Sequence, residues 1–172
     1  FLRYSFEVSV EQTVLYNHIS DNAKWFKLAK GGPYRRWYGN LEYLINWQNN
    51  GAELRRFKKA TISNERLFFT DAFTWSYISA GKISTRCVGN DVLYNNKGPA
   101  CYCSRELREY LLGLSNSVVF NYILSLWAAT MDYKPGNIAA FPFIDCDNKS
   151  FIKRLVSENI KLSQQDWDSF ET

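Results

Sequence analysis

The sequence is poor in the residues on which most self-contained active sites depend. It contains one histidine, His18, and four cysteines among 172 residues, and it has neither a G-x-G-x-x-G fingerprint nor a P-loop. Asp21 lies near His18, but no serine or cysteine has the sequence context of an activated nucleophile. We therefore interpret His18 as an ordinary helix or turn residue, and the scarcity of such groups argues against an enzyme that is complete within this chain.

The cysteines do not form a recognised metal-binding pattern. Cys101 and Cys103 are spaced C-x-C rather than C-x₂-C, and no second Cys or His pair completes a zinc site. Asp145 and Asp147 precede a predicted helix, where carboxylates are favourable without any cation. Few cysteines and no signal peptide indicate a reducing compartment, which we take to be the cytoplasm. We predict neither a structural metal nor a disulfide.

Long uncharged stretches are also rare, and the one that occurs does not indicate a membrane span. Residues 110–131 carry no charge, but they include several serines and asparagines that would be costly in hydrocarbon. A pair of buried helices is the better interpretation. The chain also begins without Met, and its last residues include aromatic groups able to pack, so we expect a fragment of a longer protein.

The periodicity of the apolar residues changes along the chain from a strand pattern to a helix pattern. The predicted strands are residues 4–10, 42–47, 67–70, 74–78, 83–88, 91–94 and 100–103. A short helix is expected over 53–59, longer helices begin at 105, 118 and 148, and residues 163–166 resemble the capped start of another. A strand-rich part, 1–104, before a helical part, 105–172, predicts one α+β domain with a mostly antiparallel sheet and packed helices.

Positive charge is concentrated in the first half of the chain. Residues 1–86 contain 13 Lys/Arg and 7 Asp/Glu, whereas residues 87–172 contain 8 and 10. No acid occurs between Asp21 and Glu42, where basic and aromatic residues are interleaved. Cationic side chains on one face attract phosphates, and planar rings stack on bases. The pattern is compatible with nucleic-acid binding, or with a solvated face whose aromatic rings turn inward.

Several stretches of the sequence together resemble one protein family. They are residues 31–51 (GGPYRRWYGNLEYLINWQNNG), 74–86 (TWSYISAGKISTR), 111–119 (LLGLSNSVV), 133–143 (YKPGNIAAFPF) and 166–172 (DWDSFET). This combination is similar to the target-recognition region of PglX-type adenine-specific DNA methyltransferases of the BREX phage-defence system. It also resembles type II restriction-methylase subunits that have TaqI-like specificity domains.

The resemblance implies a division of labour within a longer polypeptide. The family's catalytic part binds S-adenosylmethionine and carries an N-P-P-[YF] motif that grips the flipped adenine. Neither that motif nor a glycine-rich cofactor loop occurs in these 172 residues. The chain would therefore be a single target-recognition domain, 1–172, with no catalytic centre, cofactor or metal of its own. Its expected partners are double-stranded DNA, the catalytic domain of the same polypeptide and other phage-defence subunits, with no membrane.

Ten residues are candidates for contacting DNA. Arginine suits guanine edges and bidentate phosphate contacts, and a Gly-Gly-Pro turn precedes Arg35 and Arg36. Trp37 and Tyr38 either stack on DNA or pack beneath that turn, and Asn40 either reads adenine or is a plain turn residue. The full set is Lys24, Lys27, Lys30, Arg35, Arg36, Trp37, Tyr38, Asn40, Lys82 and Arg86. We expect its cations to form one face, opposite the acid-rich C-terminal helices.

Two other classes of function remain open from the sequence. A protein–protein docking module within the phage-defence complex would use the aromatic residues equally well. A nuclease remnant would need paired acids beside a lysine in a strand, and no convincing arrangement of that kind occurs.

Overall fold

A strand-rich part precedes a helical part in the structure, a computed structural model that describes residues 1–14, 23–127, 132–143 and 145–169. The strands are β1 (Leu2–Tyr4), β2 (Trp25–Ala29), β3 (Tyr43–Asn46), β4 (Ala72–Trp75), β5 (Thr85–Val88), β6 (Val92–Tyr94) and β7 (Ala100–Tyr102). The helices are α1 (Gln48–Arg56), α2 (Arg105–Ser115), α3 (Val118–Trp127), α4 (Pro135–Ala139) and α5 (Lys149–Asp168). This arrangement confirms the α+β class.

The first sheet has the strand order β1-β3-β2-β6. β3 pairs antiparallel with both β1 and β2, whereas β6 runs parallel to β2. Alternate side chains of a strand face opposite sides of its sheet, so Phe26 and Leu28 of β2 enter the core together. They pack there with Val14, Trp47 and Leu93.

The second sheet has the order β5-β4-β7 and is antiparallel throughout. Its residues Phe73 and Trp75 share a core with Leu112 of α2 and Val156 of α5. α2 and α5 approach closely because position 113 is glycine: a Cβ on Gly113 would lie 2.9 Å from the Val156 Cγ2. The helices therefore cover this sheet rather than the first one.

Polar residues between α2 and α3 are buried against the second sheet. The Asn116 side chain bonds both the N–H and the carbonyl of Thr85, at 3.0 Å each, and the Ser115 and Thr85 hydroxyls lie 2.7 Å apart. These bonds satisfy buried groups at the point where the helix ends. Across the described residues, none of the helices combines the length and apolarity needed to cross a bilayer.

The structure corrects several secondary-structure predictions. The first strand is β1, and short 3₁₀ turns, Ser5–Glu7 and Val10–Gln12, occupy most of the predicted segment 4–10. β2 was not predicted. Residues 67–70 were predicted as a strand, but they form the end of a 3₁₀ turn, Glu65–Leu67, and the residues just after it. No new helix starts at 163–166, because α5 continues to Asp168.

Candidate nucleic-acid interface

Three loops meet beside the second sheet: residues 30–36, 77–82 and 95–98, which we call the loop cluster. The Ser76 hydroxyl donates to the carbonyl of Gly32 at 2.8 Å, and the N–H of Tyr77 donates to the carbonyl of Lys97 at 3.0 Å. A third bond, from the N–H of Arg35 to the Ser84 hydroxyl at 3.1 Å, attaches the first loop next to β5. The loops therefore hold one another in place.

Glycine at position 31 is required by this arrangement. Gly31 has a φ of 90°, which residues with a side chain rarely adopt. A Cβ at this position would lie 2.7 Å from the Lys97 carbonyl oxygen. Only a residue without a Cβ fits this backbone conformation at such a close approach. The Gly31-Gly32-Pro33 turn thus fixes the position of the backbone from which Arg35 and Arg36 follow.

The loop cluster carries positive charge and no acidic residue. No Asp or Glu occurs in residues 22–41, 72–90 or 92–105. The side chains of Arg36, Lys82 and Lys97 are exposed, and each belongs to one of the three loops of the cluster. Such a surface attracts anions and repels other cations.

Arg35 belongs to the same loop but is engaged by α5. Its guanidinium lies 2.5 Å from the Asp166 carboxylate, donates through Nε to the Tyr38 carbonyl at 3.1 Å, and stacks 4.9 Å from the centre of the Trp167 ring. The Ser163 hydroxyl adds a bond to the carbonyl of Arg36 at 3.1 Å. The end of α5 therefore clamps this loop, which corrects the prediction that the C-terminal helices lie opposite the basic residues.

Arg86 and Asn40 are buried, so the structure corrects their prediction as DNA contacts. Arg86 is 1% exposed and Asn40 is 3% exposed. The Asn40 amide donates to the Pro33 carbonyl at 2.9 Å, which is turn chemistry. Burial lowers the pKa of the Arg86 guanidinium to about 10, while the nearby Glu42 carboxylate acts in the opposite direction. Both residues support the loop from beneath.

Trp37 and Tyr38 pack beneath the loop. The backbone of Trp37 pairs with β5, accepting from Cys87 at 2.8 Å and donating to Thr85 at 2.9 Å. Its side chain packs against the core of the second sheet, and Tyr38 packs beside Leu41 and its neighbours. Trp37 has a φ of 76°, which is unusual for a bulky residue, and this conformation turns the chain from the loop into the core.

The three lysines of the first sheet region have partners of their own. Lys27 forms an ion pair of 3.1 Å with Asp91 and is 13% exposed. The Lys30 ammonium lies 4.1 Å from the centre of the Tyr43 ring, and the Lys24 ammonium lies 5.5 Å from the centre of the Trp25 ring. The burial of Arg86 and the ion pairs of Lys27 and Arg35 show that the seven predicted cations do not form one open face.

Sequence reasoning missed three exposed residues in the loop cluster. Tyr34 and Ile78 are 55% and 50% exposed, and Lys97 stands alone among uncharged residues in its loop. The signal for Tyr34 was present, because it directly follows Gly31-Gly32-Pro33. Nothing in the sequence indicated that residues 77–82 and 95–98 come to the same place.

Cysteines and acids provide no metal site in the parts of the chain that the structure describes: no three or more His, Cys, Asp or Glu residues cluster there. Burial raises the pKa of the Cys87 thiol to about 11. The hydrogen bond between Cys101 and Cys103 raises the pKa of Cys101 and lowers that of Cys103. The interpretation of His18 falls outside the described residues.

Comparison with known proteins identifies relatives of this chain. No protein-family model matches it. It is 37% identical over 154 residues to the adenine-specific methyltransferase BrxX of Escherichia coli O9:H4 (strain HS), covering 88% of this chain and 12% of the relative. It is 32% identical over 174 aligned positions to the adenine-specific methyltransferase PglX of Lacticaseibacillus casei (strain Zhang), covering 96% of this chain and 14% of the relative.

The chain therefore spans about an eighth of the length of these curated relatives. The similarity extends over 88% and 96% of this chain's own length. This chain is accordingly a homologue of part of the PglX-type adenine-specific methyltransferases.

Proposed function

We propose that this chain is the DNA-recognition region of a longer adenine-specific methyltransferase that acts in BREX phage defence in the cytoplasm. The observation that carries the proposal is the loop cluster, whose hydrogen-bonded loops contain no acid of their own and present three exposed cations, in a homologue of adenine methyltransferases. Phosphate contacts from such residues fix a protein's register on the duplex, and other side chains then reach the bases.

Catalysis is assigned by this proposal to another part of the polypeptide. The 172 residues contain no N-P-P-[YF] motif and no glycine-rich loop for S-adenosylmethionine. Calorimetry of this chain with S-adenosylmethionine should therefore give no heat of binding, whereas the whole methyltransferase should bind it. Micromolar affinity of the chain alone would refute this division.

Salt dependence of duplex binding tests the interface itself. In the whole methyltransferase, Arg36, Lys82 and Lys97 are changed together to alanine, and binding to a duplex is measured by fluorescence anisotropy from low to high salt. The plot of log K against log salt concentration should become shallower by about 0.9 for each phosphate that the protein no longer neutralises. Affinity should fall for all sequences alike.

A matched control removes the same number of exposed cations elsewhere. Arg56, Lys58 and Lys59 are exposed at and after the end of α1 and belong to none of the loops of the cluster. Changing these three to alanine should leave the salt slope close to that of the parent protein. An equal reduction of slope in both triple variants would contradict an interface at the loop cluster.

A second function, docking to another protein, is supported by α3. This helix contains no charged residue, and Val118, Val119, Tyr122 and Leu126 are 60–79% exposed. Apolar residues exposed together on one helix are typical of protein–protein contacts. Changing Val118 and Tyr122 to serine should leave the salt slope of DNA binding unchanged and weaken association with a partner, measured by co-purification of the defence subunits.

A further inference from the structure

A groove of about 530 Å³ separates two loops of the cluster. Residues 32–34 form one wall, and residues 78–82 form the other. Tyr34 and Ile78 stand at opposite walls and are 55% and 50% exposed. Two large apolar side chains are thus held in water on either side of one opening.

Both walls are held by hydrogen bonds from the interior. Pro33 is fixed through its carbonyl by the Asn40 amide at 2.9 Å. Tyr77, which precedes Ile78, accepts a bond from the N–H of Tyr133 at 2.7 Å, and the Tyr133 hydroxyl donates to the carbonyl of Gly81. Loops anchored in this way lose little conformational entropy when a ligand binds.

Charge restricts the ligand that fits between these walls. Lys82 lines the groove, Arg36 follows Tyr34 by two residues, and neither wall contains an acid of its own. The one acid paired with a wall in the described residues is Asp132, which forms an antiparallel bridge with Ile78. A matching ligand presents apolar surface flanked by negative charge. A nucleic-acid duplex has this chemistry, because its base edges and thymine methyl groups lie between two rows of phosphates.

We propose that Tyr34 and Ile78 contact bases and determine the sequence preference, while Lys82 contacts the phosphate backbone. This assignment rests on the proposed function and adds a division of roles within the loop cluster. A base contact affects some sequences and not others, whereas a phosphate contact affects all sequences equally and releases counterions. The two kinds of residue are therefore distinguishable in one experiment.

The experiment measures binding of the whole methyltransferase to its methylation site and to every single-base-pair variant of it, across a salt series. Tyr34→Ala and Ile78→Ala should each reduce discrimination about tenfold to a hundredfold at one or two base pairs. Their salt slopes should equal that of the parent protein. Lys82→Ala should weaken all sequences equally and make the slope shallower by about 0.9.

Exposed apolar residues outside the groove provide the controls. Phe6 is 83% exposed near the N-terminus, and Leu162 is 63% exposed on α5. Phe6→Ala and Leu162→Ala should leave both discrimination and slope unchanged. Tyr34→Phe keeps the ring and should retain most of the discrimination.

Two results would overturn the assignment. Unchanged discrimination in both Tyr34→Ala and Ile78→Ala would show that the groove does not read bases, as would an equal loss of affinity for all sequences. In that case, salt-dependent DNA binding by the parent protein in the same series would still support the proposed function. If Arg36, Lys82 and Lys97 had no influence on binding either, the proposed function itself would fail.

Discussion

Replacing Arg86 should reveal how the loop cluster is supported. Its guanidinium donates to the Arg35 carbonyl at 3.2 Å and to the Ser76 hydroxyl at 3.3 Å, so one buried side chain links β5 to two loops. The Ser84 hydroxyl and carbonyl lie 3.4 Å from the same group. Arg86 Nε and Glu42 Oε2 have no hydrogen-bond partner among the described residues.

The expected magnitude depends on what replaces the side chain. Arg86→Ala leaves a cavity, unpaired polar groups and a Glu42 carboxylate without its nearby cation, which together should cost about 3–5 kcal/mol. Arg86→Met fills most of the volume and removes a charge whose burial is unfavourable, as its lowered pKa shows. It still removes the hydrogen bonds, each worth about 1 kcal/mol. Like alanine, methionine leaves Glu42 without its nearby cation, so the cost should be smaller than that of Arg86→Ala by the contribution of the cavity, about 2–3 kcal/mol.

Urea denaturation followed by circular dichroism measures both variants at neutral pH. Methionine should restore most of the free energy of unfolding that alanine removes. If Arg86→Met were as unstable as Arg86→Ala, the guanidinium bonds rather than packing would dominate. A decrease below about 1 kcal/mol for Arg86→Ala would instead contradict the buried position itself.

Three further predictions concern the clamp and one surface ion pair. Gly39→Ala should lower the free energy of unfolding by about 1–3 kcal/mol, because the φ of Gly39 is 116° and a Cβ there would lie 2.6 Å from the Arg35 Nε. Thermal denaturation measures this change, and an unchanged midpoint would contradict the prediction. Asp166→Asn should change stability by less than about 1 kcal/mol because Asp166 is largely exposed, and it should tighten duplex binding by releasing Arg35; weaker binding in anisotropy would refute the clamp. The Glu65 carboxyl accepts two bonds from Arg55, which lower its pKa, so this stabilisation is present at neutral pH and is lost as the pH falls through the lowered pKa. Arg55→Gln should raise the Glu65 pKa toward its ordinary value in a carbon-13 NMR titration, and an unchanged value would exclude the pair in solution.

Local sequence chemistry was enough for the fold class and for several turns. The change from alternating apolar residues to helical periodicity predicts α+β, and the structure follows that order. Asn49, Asn50 and Gly51 are residue types that tolerate positive φ, and at the start of α1 their φ angles are 52°, 57° and 70°, so the backbone there is left-handed and kinked. Helical or strand periodicity and turn conformation depend mainly on residues close together along the chain, so they can be predicted from the sequence.

Errors occurred where short segments are decided by pairing. β2 has a lysine inside it, and it becomes a strand because β3 and β6 flank it on both sides. Residues 67–70 have strand-like composition, but Leu67 is the last residue of a 3₁₀ turn. Phe68 and Phe69, which come next, pack against the core of the first sheet. Strand formation needs a partner strand, and local composition does not identify one.

The residues of the candidate interface were predicted in part. The Gly-Gly-Pro turn indicated a basic loop, and the structure leaves Arg36 and Lys82 exposed. Whether these residues contact DNA stays a prediction. The sequence alone determined that this chain has a basic region, residues 22–41, without acids.

Only the tertiary structure decided which cations are available. Arg35 meets Asp166 across 131 residues of sequence, Lys27 meets Asp91 across 64, and Arg86 is buried beneath the loop. The same packing brings residues 30–36, 77–82 and 95–98 together and exposes Tyr34 and Ile78 at one groove. The free energy of a charge depends on its solvation and on the charges around it in three dimensions, and neither can be read from neighbours along the chain.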